Sequence, residues 1–236
     1  MRILYVFPHP DDESFGPALA IAKQVRAGDE VHLLTLTRGG ATKQRQRLGL
    51  TIEEMGEVRL AEMRCVERVL GLAGLTVLDL PDGGLAKVDP REVERPVEQA
   101  VDRVRPDVLV TYAVHGISGH PDHLVTHAAV KRVFCERRGS AGAPRRLALF
   151  TLLPPEDGQP DPMRLRTSKP EDVGCAIEVG DEEVETARRA LGCYETYRGV
   201  IEEHDPLARI GRRVVFELFG EAPAAGLAGL GERLAR

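Results

Sequence analysis

The chain has 236 residues, and its 32 Lys and Arg against 37 Asp and Glu give a formal net charge of −5 at pH 7. Hydrophobic residues make up 42% and charged residues 29%, which is typical of a folded globular protein rather than a disordered one. Net acidity argues against a nucleic-acid partner, because such proteins usually carry a concentrated basic face. No apolar stretch approaches the roughly 18 residues that span a membrane, and the apolar run 2–7 is too short for a signal peptide. We therefore expect a cytoplasmic protein with a single domain.

Strand and helix patterns alternate along most of the sequence. Short apolar runs predict strands, and amphipathic stretches between them predict helices. In chain order, the predicted strands are 2–7, 30–37, 76–80, 107–113, 147–153, 175–179 and 212–219, and the predicted helices are 14–27, 53–70, 90–104, 121–138 and 181–198. This order indicates βαβ units, and hence an α/β fold with a mainly parallel sheet covered by helices on both faces.

Two segments break this alternation. The five prolines between 154 and 172 predict a long loop, which is either mobile or one wall of a site. Residues 222–236 are rich in Ala and Gly and are expected to form a frayed tail or a weak terminal helix, which leaves 1–221 as the folded domain.

The cysteines indicate no metal or redox motif. Cys65, Cys135, Cys175 and Cys193 are far apart and form no C-x-x-C pair. All four are therefore expected to be reduced and mostly buried thiols.

Two short histidine- and aspartate-rich segments follow predicted strands one and four. The first is His9-Pro10-Asp11-Asp12, and the second is His120-Pro121-Asp122-His123. In a parallel sheet, sites lie beyond the carboxyl ends of the strands, so the two segments come together if strands one and four are adjacent. The first βα turn contains neither a G-x-G-x-x-G nor a Walker A sequence, which argues against a nucleotide site of those types.

These residue types fit a catalytic metal site. Two imidazoles, one carboxylate and a water are typical ligands of catalytic zinc, and His9, Asp12 and His123 can supply them. Asp11 can then take a proton from the water, and His120 can protonate the leaving group or stabilise an oxyanion. Fe²⁺ or Co²⁺ would accept the same ligands as Zn²⁺.

The two segments resemble the signatures of the PIG-L/LmbE-like family of zinc-dependent N-acetylglucosaminyl deacetylases, in particular its bacterial thiol-biosynthesis branch. Further similarities are Thr35-Leu36-Thr37-Arg38-Gly39 after the second strand, Arg59 and Glu62 on the following helix, and Leu80-Pro81-Asp82-Gly83 after the third strand. The resemblance covers about residues 2–130 in order. It implies a Rossmann-like three-layer α/β/α sandwich, hydrolysis of an N-acetyl amide on a glucosamine-type sugar, and a homo-oligomer, a trimer or hexamer.

The resemblance also implies residue roles. His9, Asp12 and His123 match the zinc ligands, and Asp11 matches the general base. His120 matches the histidine that stabilises the tetrahedral intermediate, and Asp122 would orient it. The sequence departs from the family pattern at Gly40, where Glu is frequent, and at Cys193-Tyr194-Glu195-Thr196, where Ser-Gln is frequent. Because the two histidine- and aspartate-rich segments are intact, these departures indicate a different substrate rather than a different reaction.

Three residues are candidates for substrate binding. Arg38 follows the second strand and could reach hydroxyl groups or a carboxylate. Arg59 is either part of an i,i+3 ion pair with Glu62 or, as the resemblance implies, close to the site. Asp82 is either a turn former or a functional residue. The basic run Lys43, Arg45 and Arg47 is expected to be solvated surface, with an anionic substrate group as the alternative.

The roles of several other residues stay open. Glu13 either accepts a hydrogen bond from the site or caps the helix. His115 either lines the site or is a solvated loop residue. His127 shares a helix face with His123 and is expected to support or pack rather than to be a fourth ligand. His32 and His204 are expected to be structural.

Three other functions compete with a deacetylase. An amidase acting on a thiol-sugar conjugate would use the same site, and only substrate profiling separates the two. A sugar- or nucleotide-binding module without turnover would bind no metal and would not need Asp11 beside Asp12. A two-metal phosphoesterase would require more bridging carboxylates than the two segments offer.

Overall fold

The computed structural model describes residues 1–155, 163–221 and 226–234. Its strands are β1 Arg2–Phe7, β2 Glu30–Thr35, β3 Gly74–Val77, β4 Val108–Tyr112, β5 Arg146–Thr151, β6 Cys175–Glu178 and β7 Arg213–Leu218. Its helices are α1 Asp12–Phe15, α2 Ala18–Arg26, α3 Gln44–Leu48, α4 Ile52–Leu70, α5 Pro90–Val104, α6 Pro121–Arg137, α7 Asp181–Leu191, α8 Arg198–His204 and α9 Pro206–Ile210. Among the described residues, no helix combines the length and apolar character needed to cross a membrane.

All seven strands form one sheet in the order β3-β2-β1-β4-β5-β7-β6. The first five run parallel, and β7 lies antiparallel between β5 and β6. The chain moves outward in one direction from β1 to β3 and in the other from β4 to β5. This makes the crevice between β1 and β4 the topological switch point, where such folds bind ligands. The expected mainly parallel α/β fold is confirmed.

Helices cover both faces of the sheet because successive side chains along the central strands point to opposite faces, each of which carries a hydrophobic core. Side chains of β1 show the division: Ile3, Tyr5 and Phe7 belong to one core, and Leu4 and Val6 belong to the other. The first core includes residues of α2, α4 and α7, and the second includes residues of α5 and α6. The result is the three-layer sandwich that the sequence predicts.

Helix α4 has strong start and stop signals. The Thr51 hydroxyl accepts a hydrogen bond from the backbone N–H of Glu54, whose carboxylate accepts one from Thr51, forming a capping box. The helix ends at Gly71, which adopts φ of 68°. Arg59 and Glu62 lie on its buried face, and Arg59 donates a hydrogen bond to the carbonyl of Pro10, just after β1. The helix therefore fixes the position of the Arg59 guanidinium next to the switch point.

Two predicted helices are interrupted. The predicted helix 14–27 is divided into α1 and α2 at Pro17, which has no backbone N–H to continue the first helix. The predicted helix 181–198 ends at Leu191, and a 3₁₀ turn at Glu195–Tyr197 leads into α8. These breaks allow Tyr194 and Tyr197 to turn inward toward the site.

The expectation of four reduced cysteines is wrong in the structure. Cys65 of α4 and Cys193, just after α7, form a disulfide across 128 residues of sequence. Cys175 is a buried thiol, as expected, and Cys135 is an exposed one. Spacing along the chain carries no information about this pair, because packing of α4 against α7 brings the two residues together.

The segments predicted as loop and tail lie partly outside the described residues, which omit 156–162, 222–225 and 235–236. Where the C-terminal segment is described, it is packed rather than frayed. Leu227 pairs with Cys175 of β6, and Leu230 is 1% exposed. Arg146, buried in β5, donates hydrogen bonds to the backbone carbonyls of Leu230 and Glu232.

Candidate active site

The two polar segments of the sequence meet at the carboxyl end of the sheet. His9 follows β1, and the chain turns through Asp11 into Asp12, the first residue of α1. His120 is the N-cap of α6, and His123 lies in its first turn. Because β1 and β4 are adjacent and parallel, the segments that follow them end side by side.

The carboxylate of Asp12 lies between two imidazoles. Its Oδ1 is 3.4 Å from Nε2 of His123, and its Oδ2 is 3.5 Å from Nδ1 of His9. Oδ1 also accepts a 2.6 Å hydrogen bond from the Tyr112 hydroxyl, and Oδ2 accepts a 2.8 Å hydrogen bond from the backbone N–H of His9. Burial acts to raise the pKa of Asp12, but the imidazoles and donors lower it below its ordinary value. Asp12 is therefore an anion at neutral pH.

Two further carboxylates orient His9. Its Nε2 is 3.2 Å from Oδ2 of Asp122 and 3.3 Å from Oδ1 of Asp82. Since a carboxylate only accepts, Nε2 carries a proton, and Nδ1 is left to face Asp12. Burial acts to lower the pKa of His9, but the adjacent carboxylates of Asp12 and Asp122 outweigh this effect and raise the pKa to about 10. This position favours a positive charge, which a metal ion would supply in place of a proton.

His123 is held in the complementary way. Its Nδ1 donates to the carbonyl of Gly116 at 2.9 Å, which leaves the lone pair of Nε2 facing Asp12. The ring of Tyr112 stacks on the imidazole with a centroid distance of 4.4 Å and an interplanar angle of 5°. Metal-binding histidines typically donate their other ring N–H to a carbonyl or carboxylate. His9 and His123 both have this arrangement.

His120 has one ring nitrogen oriented to donate a hydrogen bond. It is exposed, and its Nδ1 accepts a 3.2 Å hydrogen bond from the backbone N–H of Asp122, so Nε2 carries the proton. Burial and the nearby charges of His9 and His123 lower the pKa of His120. The neutral ring can donate a hydrogen bond to a negative oxygen above the site.

The Asp122 side chain makes different contacts from those that the resemblance implies. Its carboxylate does not orient His120 but contacts His9 and accepts hydrogen bonds from the backbone N–H groups of Gly83 at 2.8 Å and Leu85 at 3.0 Å. The hydrogen bond between Asp122 and His120 is made by the backbone N–H of Asp122. The carboxylate, which is fully buried, thus joins the turn after β3 to the histidine after β1.

The geometry fits a divalent metal ion. Two groups among the described residues place three possible ligand atoms within 4.8 Å of one another: His9, His120 and His123; and His9, Asp82 and Asp122. In a tetrahedral zinc site with bonds of about 2.0–2.1 Å, ligand atoms lie about 3.3–3.4 Å apart. Asp12 is in neither group, but its Oδ1 is 3.4 Å from His123 Nε2, close to this value, and its Oδ2 is 3.5 Å from His9 Nδ1. Imidazole nitrogen and carboxylate oxygen together suit zinc and related divalent ions.

Asp11 lies beside these groups with a buried counter-ion. Its backbone has φ of 84°, in the left-handed region that Asp adopts more readily than most residues. Its Oδ2 accepts a 2.6 Å hydrogen bond from Arg59, which is 1% exposed and lies 4.3 Å from the ring centre of Tyr197. Burial raises the pKa of Asp11, while Arg59 acts to lower it. A carboxylate with a raised pKa is suited to accept a proton during a reaction.

A second buried carboxylate supports Asp11 through a tyrosine. The Tyr194 hydroxyl accepts a 2.9 Å hydrogen bond from the backbone N–H of Asp11 and donates one of 2.6 Å to Glu13. Ser14 donates another of 2.6 Å to the same oxygen of Glu13. Burial raises the pKa of Glu13 to about 7. Of the two roles left open for Glu13, the structure favours acceptance of a hydrogen bond from a group of the site.

The candidate substrate-binding residues occupy different positions. Arg59 and Asp82 line the cavity above the site, and Asp82 accepts a 2.7 Å hydrogen bond from the backbone N–H of Ala41. Arg38 is not among the lining residues and pairs instead with Glu57. Glu62 accepts two hydrogen bonds of 2.8 Å from Thr196. Arg59 and Glu62 therefore connect α4 to separate parts of the site.

The remaining histidines stabilise the surrounding segments, with one exception. His127 is buried and donates to the carbonyl of Tyr112 at 2.8 Å, in agreement with a supporting role. His115 accepts a hydrogen bond from the backbone of its own loop and lies 3.3 Å from the hydroxyl of Ser168. His204, which the sequence indicates as structural, lines the cavity.

Sequence reasoning missed several residues of this site. Tyr112 could have been found, because it ends the strand that precedes the second polar segment. Tyr194 and Tyr197 follow a helix near the end of the chain, and only the departure from the family pattern there marked the region. Tyr112, Tyr197 and His204 line the cavity of about 510 Å³ above the site, and Tyr194 contacts the backbone of Asp11.

The fold and the donor set define an α/β protein with a candidate divalent-metal centre at its switch point. A family described as "PIG-L: GlcNAc-PI de-N-acetylase" matches residues 4–134, more than half of the chain. A 1D-myo-inositol 2-acetamido-2-deoxy-alpha-D-glucopyranoside deacetylase from Mycobacteroides abscessus is 30% identical over 240 residues, covering 88% of this chain and 85% of its own. The chain belongs to the PIG-L family.

Other relatives extend beyond the matched region. A deacetylase of the same description from Kineococcus radiotolerans is 35% identical over 171 residues, covering 60% of this chain but 47% of its own. The chain thus spans about half the length of several curated relatives that it matches. A solved deacetylase triple mutant of the teicoplanin biosynthetic pathway has a TM-score of 0.71 at 19% identity, with 92% of this chain and 97% of that one covered. This last similarity supports the fold alone.

Proposed function

We propose that this protein is a zinc-dependent hydrolase that removes the acetyl group from an N-acetylglucosamine-containing small molecule, such as a precursor of a low-molecular-weight thiol. The observation that carries the proposal is the placement of Asp12 between His9 and His123, with Asp11 and its buried counter-ion next to them. Family membership and the activities named for its relatives support the same reaction.

His9, Asp12 and His123 would hold the metal ion, the two histidines through the ring nitrogens that their other hydrogen bonds leave available. When bound, zinc would polarise the amide carbonyl and lower the pKa of a coordinated water to about 7. Fe²⁺ or Co²⁺ would bind the same atoms, so the ligand types indicate a divalent metal ion but do not distinguish zinc from these two.

Asp11 would take the proton from the attacking water. Its pKa is raised by burial, while Arg59 orients the carboxylate and acts to lower the pKa. The Nε2–H of His120 would donate to the oxygen that becomes negative as water attacks the carbonyl carbon. The proton held by Asp11 would then pass to the departing amine. Asp122 would act as a positioning residue for His9.

Sugar hydroxyl groups would face the polar side of the cavity, near Asp82 and Arg59. We retain these two predicted substrate contacts and omit Arg38, because Arg38 pairs with Glu57 away from the lining. We also propose that the protein is cytoplasmic and that it forms a trimer or a hexamer of identical chains. Analytical ultracentrifugation would determine the mass of this oligomer.

The base assignment can be tested with Asp11→Asn. We expect kcat for amine release from N-acetylglucosamine, its inositol glycoside or its malate glycoside to fall by about 10²–10⁴, while metal content stays at the wild-type level. Asp181→Asn, at an exposed position of α7, is the matched control and should retain full turnover. Wild-type turnover in Asp11→Asn would refute the assignment. Stoichiometric metal without amine release from any substrate would favour an amidase acting on a thiol-sugar conjugate.

A further inference from the structure

The cavity above the site has two chemically different halves. The half toward β2 and β3 is polar and includes Thr42, Arg59 and Asp82. The half toward β5 is lined mainly by aromatic and aliphatic side chains: Phe15, Ile117, Phe150, Leu152, Leu165 and Ile210. Arg209, which follows on the same helix as Pro206, also lines this end of the cavity and donates a hydrogen bond to the carbonyl of Leu153. The metal-binding residues lie between the halves, because His9 and His123 follow the strands in the middle of the sheet.

Backbone hydrogen bonds fix the apolar half. The N–H of Ser168 donates to the carbonyl of Leu152 at 2.9 Å, and the N–H of Arg166 donates to the carbonyl of Ile117 at 2.7 Å. Leu165 is therefore held between the end of β5 and the loop that precedes α6. These contacts form the wall without any bound ligand.

Ile117 adopts an unfavourable backbone conformation at this wall. Its φ is 56°, in the left-handed region that β-branched residues rarely adopt, and its side chain is 8% exposed. The conformation is imposed from both sides, because its N–H donates to His115 Nδ1 at 3.0 Å and its carbonyl accepts from Arg166. Strained residues of this kind concentrate where a ligand is bound.

An N-acetylated sugar has little apolar surface that could contact the apolar half of the cavity. The acetyl group has a single methyl, and sugar hydroxyls gain no hydrogen bonds from aliphatic and aromatic side chains. An amide is planar and normally trans, so its acyl carbon chain and its nitrogen substituent extend in opposite directions. If the sugar occupies the polar half, the acyl chain enters the apolar half.

We infer that the apolar half is an acyl-binding subsite, and that the preferred substrates are N-acyl amino sugars with an acyl chain longer than acetyl. The inference rests on the proposed hydrolase function and extends its substrates from N-acetyl to longer N-acyl amino sugars. Water breaks the amide C–N bond: its oxygen ends in the fatty carboxylate, and both of its protons end on the sugar nitrogen, which leaves as an ammonium group. A cavity of about 510 Å³ lies within the size range of sites for small organic ligands.

The test uses the zinc-loaded full chain and methyl glucosaminides that differ only in the N-acyl group: acetyl, butanoyl, hexanoyl and octanoyl. Burial of each added methylene should raise kcat/KM for amine release by up to about fourfold, equivalent to about 0.8 kcal/mol, and hexanoyl should exceed acetyl at least about tenfold. Octyl N-acetylglucosaminide carries an apolar chain on the anomeric oxygen at C1 instead of on the amide at C2, and it should show no such gain.

The outcomes separate the subsite from the reaction. Hydrolysis of the acetyl compound with no gain for longer acyl chains overturns the subsite while leaving the hydrolase intact. A gain confined to the octyl glycoside also overturns it, since the apolar half would then bind the aglycone. Absence of amine from every compound refutes the hydrolase itself.

Two matched variants locate the effect. Leu165→Ser should reduce the hexanoyl-to-acetyl ratio of kcat/KM by about fivefold or more. Leu207→Ser changes a leucine of similar burial on α9 that does not line this cavity, and it should leave the ratio unchanged. In calorimetry, octanoate should bind with a more negative heat-capacity change than acetate. Equal ratios in the two variants, or equal heat-capacity changes, would contradict the subsite.

Discussion

Replacing Arg59 by Gln removes the buried cation beside Asp11. Arg59 donates to the Asp11 carboxylate at 2.6 Å and to the carbonyl of Pro10 at 2.9 Å, and its guanidinium stacks on Tyr197. The side chains of Arg59 and Asp11 are 2% and 16% exposed, so solvent screens the pair weakly. Gln can restore one hydrogen bond but no charge.

The expected loss of stability is large. Removing one partner of a buried ion pair leaves an uncompensated charge and typically costs about 3–5 kcal/mol. Loss of the aromatic contact adds about 0.5–2 kcal/mol, although protonation of Asp11 at lower pH relieves part of the penalty. Against a typical total of about 5–15 kcal/mol, the variant should remain folded only marginally. Arg59→Lys keeps the positive charge and should lose less stability than Arg59→Gln, although lysine lacks the planar guanidinium.

Urea unfolding and the pH dependence of kcat/KM together measure both effects. Since Arg59 lowers the pKa of Asp11, the acidic limb of the profile should move to higher pH in Arg59→Gln and move less in Arg59→Lys. Arg64→Gln is the control, because Arg64 forms an exposed i,i+3 pair with Glu67 on the same helix and should change stability by less than about 1 kcal/mol. If Arg59→Gln unfolds like Arg64→Gln and its acidic limb does not move, the assigned ion pair is wrong.

Three further predictions follow from buried polar groups and from the disulfide. Tyr112→Phe removes a hydrogen bond to Asp12, and the affinity of this variant for zinc, measured in competition with a chelating dye, should fall about 10–100-fold. An unchanged affinity would contradict the role of Tyr112 in orienting Asp12. Glu13 favours its protonated form in the folded state, so wild-type stability should decrease as the pH rises from about 4.5 through 7. Glu13→Gln should remove much of this slope, and equal slopes in urea unfolding would refute the assignment. Under denaturing conditions without reductant, alkylation should label two of the four cysteines, whereas labelling of all four would exclude the Cys65–Cys193 disulfide.

The position of the site could be predicted because its two segments are local in sequence. The first follows directly after a strongly apolar strand, the second follows another after a short loop, and parallel strands place their carboxyl ends at the same edge of the sheet. His9 and His123 are brought together by pairing of β1 with β4, which follows a common strand order. The sequence therefore predicts the meeting of groups that are more than 100 residues apart.

The support of Asp11 could not be predicted in the same way. Tyr194 lies 183 residues after Asp11, beyond a helix that ends earlier than its amphipathic pattern indicates. The pattern at 181–198 is helical, but Gly192 ends α7 and the next residues turn toward the site. Periodicity does not reveal such a turn, because it depends on packing against α4.

The orientation of the imidazoles also depends on contacts that only the structure shows. Nothing in the segment around His123 indicates that Gly116 accepts from its Nδ1, or that Asp122 contacts His9 rather than His120. Residue types and spacing predict which side chains meet. Which nitrogen remains available for a metal follows from the loops that surround them.

The central claim is that His9, Asp12 and His123 hold one metal ion that amide hydrolysis requires. The most direct measurement is titration of chelator-treated protein with zinc, following amine release and bound metal together, in the wild type and in His123→Ala. We expect amine release to rise from background and to saturate at about one zinc per chain in the wild type, with neither tight binding nor recovery in the variant. Full amine release from metal-free protein, or normal zinc binding by His123→Ala, would contradict the claim.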